Sequence, residues 1–135
     1  MSKVGVLDAS AVLAYLQEED GQDRVEAALE EGPCRMTTVN TCEVLGKLCE
    51  KGMPPPEAQA ALDDLGLIVV NFDEELARLA AILRLRTRSI GASLGDRACL
   101  ALAEQTARPP VTAIVYTADH AWAKLKWPFR VVLIR

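Results

Sequence analysis

K-V-G-V-L-D-A-S-A-V-L-A-Y-L, residues 3–16, decides the fold of this chain. Residues 4–7 form a short apolar run without polar alternation, which is typical of a strand buried on both faces. The run stops at Asp8, and helical spacing begins directly after it, with Leu13 and Leu16 on one side. A strand that ends in a carboxylate and turns into a helix places that carboxylate at the carboxyl edge of a sheet, where ligands bind in open α/β folds.

Strand and helix patterns alternate along the rest of the chain. The predicted strands are 4–7, 35–39, 67–70, 113–116 and 130–134, and 67–70 is expected to be buried. The predicted helices cover about 9–17, 20–31, 40–51, 57–65, 73–86 and 93–106, with a short helical turn around Trp122. This alternation predicts an α/β fold with a mainly parallel central sheet of four to five strands, covered by helices on both faces. With 135 residues, the chain is expected to form one domain.

The charge and hydropathy of the chain exclude several function classes. A net charge of −4 argues against a general nucleic-acid coat or a membrane-surface protein. It leaves room for a nuclease, because metal-binding carboxylates lower the net charge while a local basic patch binds the substrate. No signal peptide and no spanning segment are visible. We therefore expect a cytoplasmic protein without a membrane partner.

The cysteine pattern argues against a zinc site. The chain has four cysteines and one histidine, and no two cysteines form a C-x-x-C pair. We expect Cys34, Cys42, Cys49 and Cys99 to be buried, reduced thiols.

Four acidic residues stand at the ends of predicted elements. Asp8 and Asp119 follow predicted strands, and parallel strands place both at the same edge of the sheet. Glu43 and Asp96 lie in the first turns of predicted helices. Two carboxylates ~5 Å apart repel by roughly 3 kcal/mol at an effective dielectric constant near 20. Four acids at one edge would therefore take up protons or bind a cation, and oxygen ligands favour magnesium or manganese.

Helix capping is the alternative explanation for the same acids. Ser93-x-x-Asp96 and Asn40-x-x-Glu43 both match a capping box. An acid near a helix N-terminus contributes ~0.3–1 kcal/mol by itself. Capping explains each acid singly, but it explains all four together less well.

Four segments together resemble the PIN domain family. They are V-G-V-L-D-A-S-A-V-L-A-Y-L, N-T-C-E-V, S-L-G-D-R-A-C-L-A-L-A and V-Y-T-A-D-H-A-W, and the resemblance that they mark extends over nearly the whole chain in the family's order. More narrowly, they resemble the VapC-type ribonuclease toxins of bacterial toxin–antitoxin pairs. The resemblance implies a PIN-like α/β/α sandwich in a single domain, 1–135. It also implies a magnesium-dependent endoribonuclease, with manganese as the alternative metal, in which a metal-activated water hydrolyses RNA phosphodiester bonds.

The resemblance assigns roles to the acidic residues. The family's acidic quartet matches Asp8, Glu43, Asp96 and Asp119. Asp8, Asp96 and Asp119 are the implied metal ligands, and Glu43 is implied to orient the attacking water. Cleavage of this kind leaves a 5′-phosphate and a 3′-hydroxyl.

Two hydroxyl residues and one histidine accompany the acids. Ser10 and Thr117 match small hydroxyl residues of the family and are implied to hold the carboxylates in place. His120 departs from the family pattern, in which many relatives carry Arg at this position. We expect His120 to have a solvated or supporting role, with contact to RNA phosphate as the alternative.

The densest basic group precedes and includes the start of the sixth predicted helix. Its members are Arg78, Arg84, Arg86, Arg88 and Arg97. Arg84, Arg86, Arg88 and Arg97 are candidate RNA contacts, and the alternative is a solvated helix end where the dipole favours cations. Trp122 and Trp127 are expected to pack near the carboxyl terminus rather than to stack on bases.

The first two predicted helices carry apolar residues that are either core or a docking surface. Leu13, Tyr15 and Leu16 lie close together there, and a partner helix in an apolar groove is a common recognition mode. The family resemblance implies a VapB-like antitoxin that wraps the toxin, and a toxin homodimer.

Two other functions remain open at this point. A receiver or phosphatase domain shares the alternating architecture, but the chain has no acidic pair beside Asp8 and no Lys near Thr117. A non-catalytic PIN-fold module that binds RNA or protein is the second alternative.

Overall fold

Five parallel strands form the central sheet of the computed structural model, which describes residues 2–135. The strands are β1 (Lys3–Leu7), β2 (Cys34–Thr37), β3 (Ile68–Val70), β4 (Thr112–Thr117) and β5 (Arg130–Leu133). Their order is β3-β2-β1-β4-β5, and each neighbouring pair is parallel. The predicted α/β class with a parallel central sheet is confirmed.

Six α-helices cover the two faces of the sheet. They are α1 (Ala9–Leu16), α2 (Gln22–Glu31), α3 (Thr38–Glu50), α4 (Pro55–Asp63), α5 (Glu74–Arg86) and α6 (Leu94–Thr106). Leu7 and Ile114 point into the core that packs against α1 to α4. Val6 and Val115 point into the second core, under α5 and α6. Because successive strand residues face opposite ways, the central strands must be apolar throughout, as the unbroken run in β1 indicated.

The prediction that the third strand is buried was wrong. Ile68 and Val69 are 47% and 48% exposed. β3 lies at the edge of the sheet and pairs only with β2 within residues 2–135. An apolar run does not reveal whether a strand is central or at an edge, because that depends on the order of the strands.

The start of the third helix also differs from the prediction. β2 ends at Thr37, and Thr37 caps α3 by accepting a hydrogen bond from the backbone N–H of Asn40. The proposed capping box of Asn40 and Glu43 is therefore wrong. Since α3 begins at Thr38, Glu43 lies in its second turn rather than in its first.

Most of the smaller predictions about packing hold. All four cysteines are free, and Cys34 and Cys99 are buried, but the prediction of burial was wrong for the exposed Cys42 and holds only partly for Cys49. Trp122 is fully buried, and Trp127 donates its indole N–H to the Trp122 carbonyl oxygen. Of the helices within residues 2–135, none has the length and apolar character that crossing a bilayer requires.

Candidate active site

Asp8 lies at the carboxyl end of β1 and is almost completely buried. The register of β1 and β4 pairs Leu7 with Tyr116, so Asp8 comes next to Thr117. Its Oδ1 accepts hydrogen bonds from the backbone N–H of Ala11 (2.8 Å) and the hydroxyl of Ser10 (2.7 Å), and its Oδ2 accepts one from the Thr117 hydroxyl (2.6 Å). Burial raises the pKa of Asp8 to about 6, although these hydrogen bonds oppose the rise.

Ser10 and Thr117 connect Asp8 to the segment that carries Asp119. Thr117 Oγ1 accepts a hydrogen bond from the Asp119 N–H, and Ser10 Oγ accepts one from the Ala118 N–H. Each hydroxyl thus donates to Asp8 and accepts from the loop after β4. The Asp119 carboxylate is exposed and caps the short 3-10 helix His120–Lys124 through the N–H of Ala121. The Asp119 side chain therefore acts as a helix cap, and its backbone N–H is linked to Asp8 through the Thr117 hydroxyl.

Asp96 occupies the third position of α6 and forms the predicted capping box with Ser93. The backbone N–H of Asp96 donates to Ser93 Oγ (3.1 Å), and Asp96 Oδ2 accepts from the Ser93 N–H (3.0 Å). Its charge contributes to the raised pKa of Asp8, so the two carboxylates interact. Only one of the Asp96 oxygens is engaged in the capping box, which leaves Oδ1 for a ligand.

Asn40 and Gly95 position Glu43, and the sequence patterns did not identify either of them. Asn40 is 1% exposed, and its side-chain amide donates to Glu43 Oε1 (2.9 Å) and to the Gly95 carbonyl oxygen (3.0 Å). Its Oδ1 accepts from the Thr37 hydroxyl (2.7 Å). The Glu43 carboxylate rests on the Cα of Gly95, where a Cβ atom would lie within 3.0 Å of it. The only sequence signal was an Asn three residues before the acid, which also fits a helix cap.

Three of the four acids raise the pKa of one buried thiol. Cys99 lies one turn after Asp96 in α6 and is fully buried. Burial raises the pKa of Cys99, and the charges of Asp8, Asp96 and Glu43 raise it further. The charges of Asp8, Asp96 and Glu43 therefore act on the same buried side chain. Asp119 is connected to Asp8 through Thr117.

The donor set of this place suits a hard divalent cation. Within residues 2–135, no group of three or more His, Cys, Asp or Glu side chains is placed so that it could hold a metal ion. Mg²⁺ typically keeps several waters and binds proteins through one or two carboxylates together with phosphate oxygens. The two carboxylates of Asp8 and Asp96, whose charges interact, correspond to the one or two protein carboxylates of such a site. A cation would also remove the cost of ionising the buried Asp8.

The four candidate RNA-contacting arginines differ in their surroundings. Arg84 and Arg88 are exposed, and neither forms an ion pair within residues 2–135. Arg86 pairs with Glu104, and its guanidinium lies 5.0 Å from the ring centroid of Trp127, which engages it in packing. Arg97 is 9% exposed and donates to the Ala80 carbonyl oxygen (3.0 Å), so it does not lie on the open surface.

His120 contacts the main chain rather than a carboxylate of the site. Its Nε2 lies 2.7 Å from the main-chain oxygen of Arg135, and the imidazole is exposed. This contact connects the 3-10 helix after β4 to a residue beyond β5, and the supporting role of His120 stays a prediction.

The fold and these contacts together place the chain in a structural class. It is a three-layer α/β protein with a five-stranded parallel sheet and carboxylates clustered at the carboxyl edge of the two central strands. The profile of the PIN domain matches residues 5–128. The chain therefore belongs to the PIN domain family, whose members are generally nucleases.

Solved structures of toxin–antitoxin complexes share this fold. VapBC2 from Rickettsia felis, bound to a DNA fragment from its promoter, has a TM-score of 0.71 at 12% identity, over 96% of this chain and 98% of that chain. A toxin–antitoxin complex from Klebsiella pneumoniae has a TM-score of 0.67 at 19% identity, over 97% and 98%. DNA-bound VapBC from Salmonella typhimurium has a TM-score of 0.69 at 13% identity, over the full length of both chains. A search of curated protein sequences found no significant match.

Proposed function

We propose that this chain is a magnesium-dependent endoribonuclease, the toxin of a VapBC-type toxin–antitoxin pair. The observation that carries the proposal is the environment of Asp8. A carboxylate that is 5% exposed, beside Asp96 and held by two hydroxyls, is costly to keep charged without a cation. Proteins keep such groups where they bind a metal or do chemistry. Membership of a nuclease family supports the same function.

The chain's own residues have distinct roles in this proposal. Asp8 and Asp96 would hold the divalent cation, and Asp119 would be a further ligand, directly or through water. Ser10 and Thr117 fix the orientation of the Asp8 carboxylate through the hydroxyl hydrogen bonds. A bound divalent cation would neutralise phosphate charge and lower the pKa of water in the site. Manganese replaces magnesium in this role because both accept oxygen ligands.

Glu43 orients the attacking water and accepts its proton. Asn40 donates to Glu43 Oε1, which leaves Oε2 available for the water. A water held on the phosphate in this way displaces the 3′-oxygen of the scissile bond, which yields a 5′-phosphate and a 3′-hydroxyl. The water loses its proton toward Glu43, and the leaving oxygen takes a proton from solvent.

A groove at the ends of α1 and α3 supports an antitoxin partner. Leu16, Leu48, Met53 and Pro54 line it, together with Lys51 at its rim. An amphipathic antitoxin helix would bury its apolar face in such a groove. The homodimer is part of the same proposal, and the exposed side chains of Ile82 (63%) and Leu85 (69%) on α5 provide apolar surface for it.

Cleavage of a defined RNA by the purified chain tests this function. A labelled single-stranded RNA is incubated with the protein in Mg²⁺, Mn²⁺, Ca²⁺ or EDTA, beside a DNA of the same sequence. We expect cleavage of RNA in Mg²⁺ and Mn²⁺ only, with 5′-phosphate ends. RNA left intact by folded protein in both metals, across RNAs that include transfer and ribosomal species, would contradict the proposal.

A further inference from the structure

A basic cavity lies beside the acidic site, between the end of α5 and the start of α6. It has a volume of about 500 Å³, and its charged lining residues are Arg84, Arg88 and Arg97. None of its described lining residues is acidic. Such a cavity attracts anions, because three guanidinium groups surround it and the low-dielectric protein wall on one side strengthens their field.

Arg97 lacks a counter-charge at this place. Its guanidinium has five N–H donors, yet its hydrogen bond within residues 2–135 is the one to the neutral Ala80 carbonyl, and its Nε has no partner. A buried cation without a paired anion costs free energy. Since Arg97 is 91% buried and lines the cavity, an anion in the cavity would supply the missing partner.

Arg84 and Arg88 are free to join such an anion. Arg78, Arg86 and Arg108 form ion pairs with glutamates nearby, whereas Arg84 and Arg88 form none within residues 2–135. An unpaired arginine gives bidentate hydrogen bonds to phosphate without first breaking an internal contact. The three unpaired arginines therefore form one site rather than a general basic surface.

The position of the cavity indicates which anion it takes. The groove that contains Glu43 and Gly95 shares two lining residues with the cavity, Ser93 and Leu94. An RNA strand that lies across Ser93 and Leu94 would therefore place one phosphate near the acidic residues and a neighbouring phosphate among the arginines. The acids repel an anionic strand, and the arginines offset that repulsion at the adjacent position.

We propose that Arg84, Arg88 and Arg97 form a binding site for a phosphate of the RNA strand next to the scissile one. This inference rests on the proposed ribonuclease function. It assigns the cavity the task of holding the strand while the acids act on the neighbouring phosphodiester. An acidic segment of a partner protein is the competing occupant, and the experiment below separates the two.

Binding of a fluorescent single-stranded RNA in EDTA, measured by anisotropy over a range of salt concentrations, tests the site. The test protein is the full chain with Arg84→Gln and Arg88→Gln. The matched control carries Arg24→Gln and Arg130→Gln, which removes two exposed arginines on α2 and β5 that form no ion pair within residues 2–135. We expect the test variant to bind about tenfold more weakly than the control, and its salt slope to fall by up to about 0.7, for one lost phosphate contact on a single strand. Equal affinity and salt slope in the two double variants would overturn the inference.

A second variant tests the buried arginine itself. A buried charge without a partner costs free energy that an apolar side chain of similar length does not cost. Arg97→Met is therefore expected to keep or raise the melting temperature while it weakens RNA binding about tenfold. A lower melting temperature with unchanged RNA affinity would show that the guanidinium has only a structural role, and would overturn its assignment.

RNA cleavage and polyglutamate binding, measured on the same proteins, distinguish failure of the cavity inference from failure of the ribonuclease function. If the wild-type chain cleaves RNA in Mg²⁺ but the Arg84→Gln, Arg88→Gln protein binds and cleaves as the control does, the cavity inference fails and the ribonuclease function stands. If the wild type neither binds nor cleaves RNA, the cavity inference and the ribonuclease function both fail. Polyglutamate that binds the wild type but not the test variant, while RNA binds both equally, would assign the cavity to an acidic protein segment instead.

Discussion

The carboxylate of Glu43 lies directly against the Cα of Gly95, so close that a Cβ atom on Gly95 would lie under 3.0 Å from Oε1, Oε2 and Cδ. This contact brings α3 and α6 together at the carboxyl edge of the sheet. Glycine is required there for space rather than for backbone conformation, because Gly95 lies inside α6. Asn40 completes the contact by donating both to Glu43 and to the Gly95 carbonyl.

Gly95→Ala is expected to displace Glu43 without unfolding the protein. A displacement of about 1 Å in a catalytic group can lower the rate about a hundredfold, and we expect a loss of about ten- to a hundredfold in RNA cleavage. Gly46→Ala is the matched control, since Gly46 is also helical and nothing lies within 4 Å of its added Cβ. The control should retain activity and gain about 0.5 to 1 kcal/mol in unfolding free energy. Equal cleavage rates in the two variants would contradict the assigned role of Glu43.

Asn40→Ala is expected to lower both stability and activity. The substitution leaves the buried Gly95 carbonyl without its side-chain donor and frees Glu43. We expect a loss of about 1 to 3 kcal/mol in unfolding free energy, measured by urea denaturation, together with slower cleavage. Asn71→Ala, at an exposed position, should change stability by less than about 0.5 kcal/mol. A fully active Asn40→Ala protein would show that Glu43 does not depend on this amide.

The raised pKa of Asp8 predicts an unusual dependence of stability on pH. Burial raises the pKa of Asp8 from 3.8 to about 6 in the folded chain, so the folded state binds more protons than the unfolded state between these values. Stability without metal should therefore fall as the pH rises through this window, by about 3 kcal/mol in total from this residue. Asp8→Asn removes the titrating group and resembles the protonated acid, since an amide and a carboxylic acid each have one acceptor oxygen and one donor group.

Melting temperatures in EDTA measure this effect. We expect Asp8→Asn to melt higher than the wild type at about pH 7.5 and close to it at about pH 3, where Asp8 is mostly protonated in both the folded and the unfolded state. The exposed Asp64→Asn serves as the control and should follow the wild-type profile. Parallel profiles for all three proteins would contradict a burial-raised pKa of Asp8.

Thr117→Val is expected to weaken metal binding more than it weakens the fold. The Thr117 hydroxyl donates to Asp8 and accepts from the Asp119 N–H. Its loss raises the pKa of Asp8 further and loosens the link to Asp119, and removal of such supporting groups typically costs about 10- to 100-fold in metal affinity. The Mg²⁺ concentration for half-maximal cleavage should rise accordingly. Thr106→Val is the control, because Thr106 is buried and lies at the C-terminal end of α6. It should leave the half-maximal Mg²⁺ concentration unchanged.

Local patterns predicted the succession of strands and helices along the chain and the acidic residues at strand ends. Both features depend on short segments of sequence. Asp8 and Asp119 follow β1 and β4, and the parallel pairing of these strands brings their ends together. The Asn40 amide was misread because its partner, the Gly95 carbonyl, lies 55 residues away. The exposure of β3 was missed for the same reason, since only the strand order decides which strand is at the edge.

RNA cleavage by this chain requires, in our proposal, a divalent cation bound by these carboxylates. Asp96→Asn removes one of the proposed cation ligands. The Asn oxygen can still accept from the Ser93 N–H, so the capping box and the fold should be retained. The measurement is the Mg²⁺-dependent cleavage rate of a defined RNA, with Asp64→Asn as the charge-matched control and melting temperature as the check on folding. We expect a loss of about a hundredfold or more in Asp96→Asn, since metal-ion stabilisation is worth several kcal/mol, and full activity in the control. Equal rates for folded, nuclease-free preparations of both variants would contradict the account.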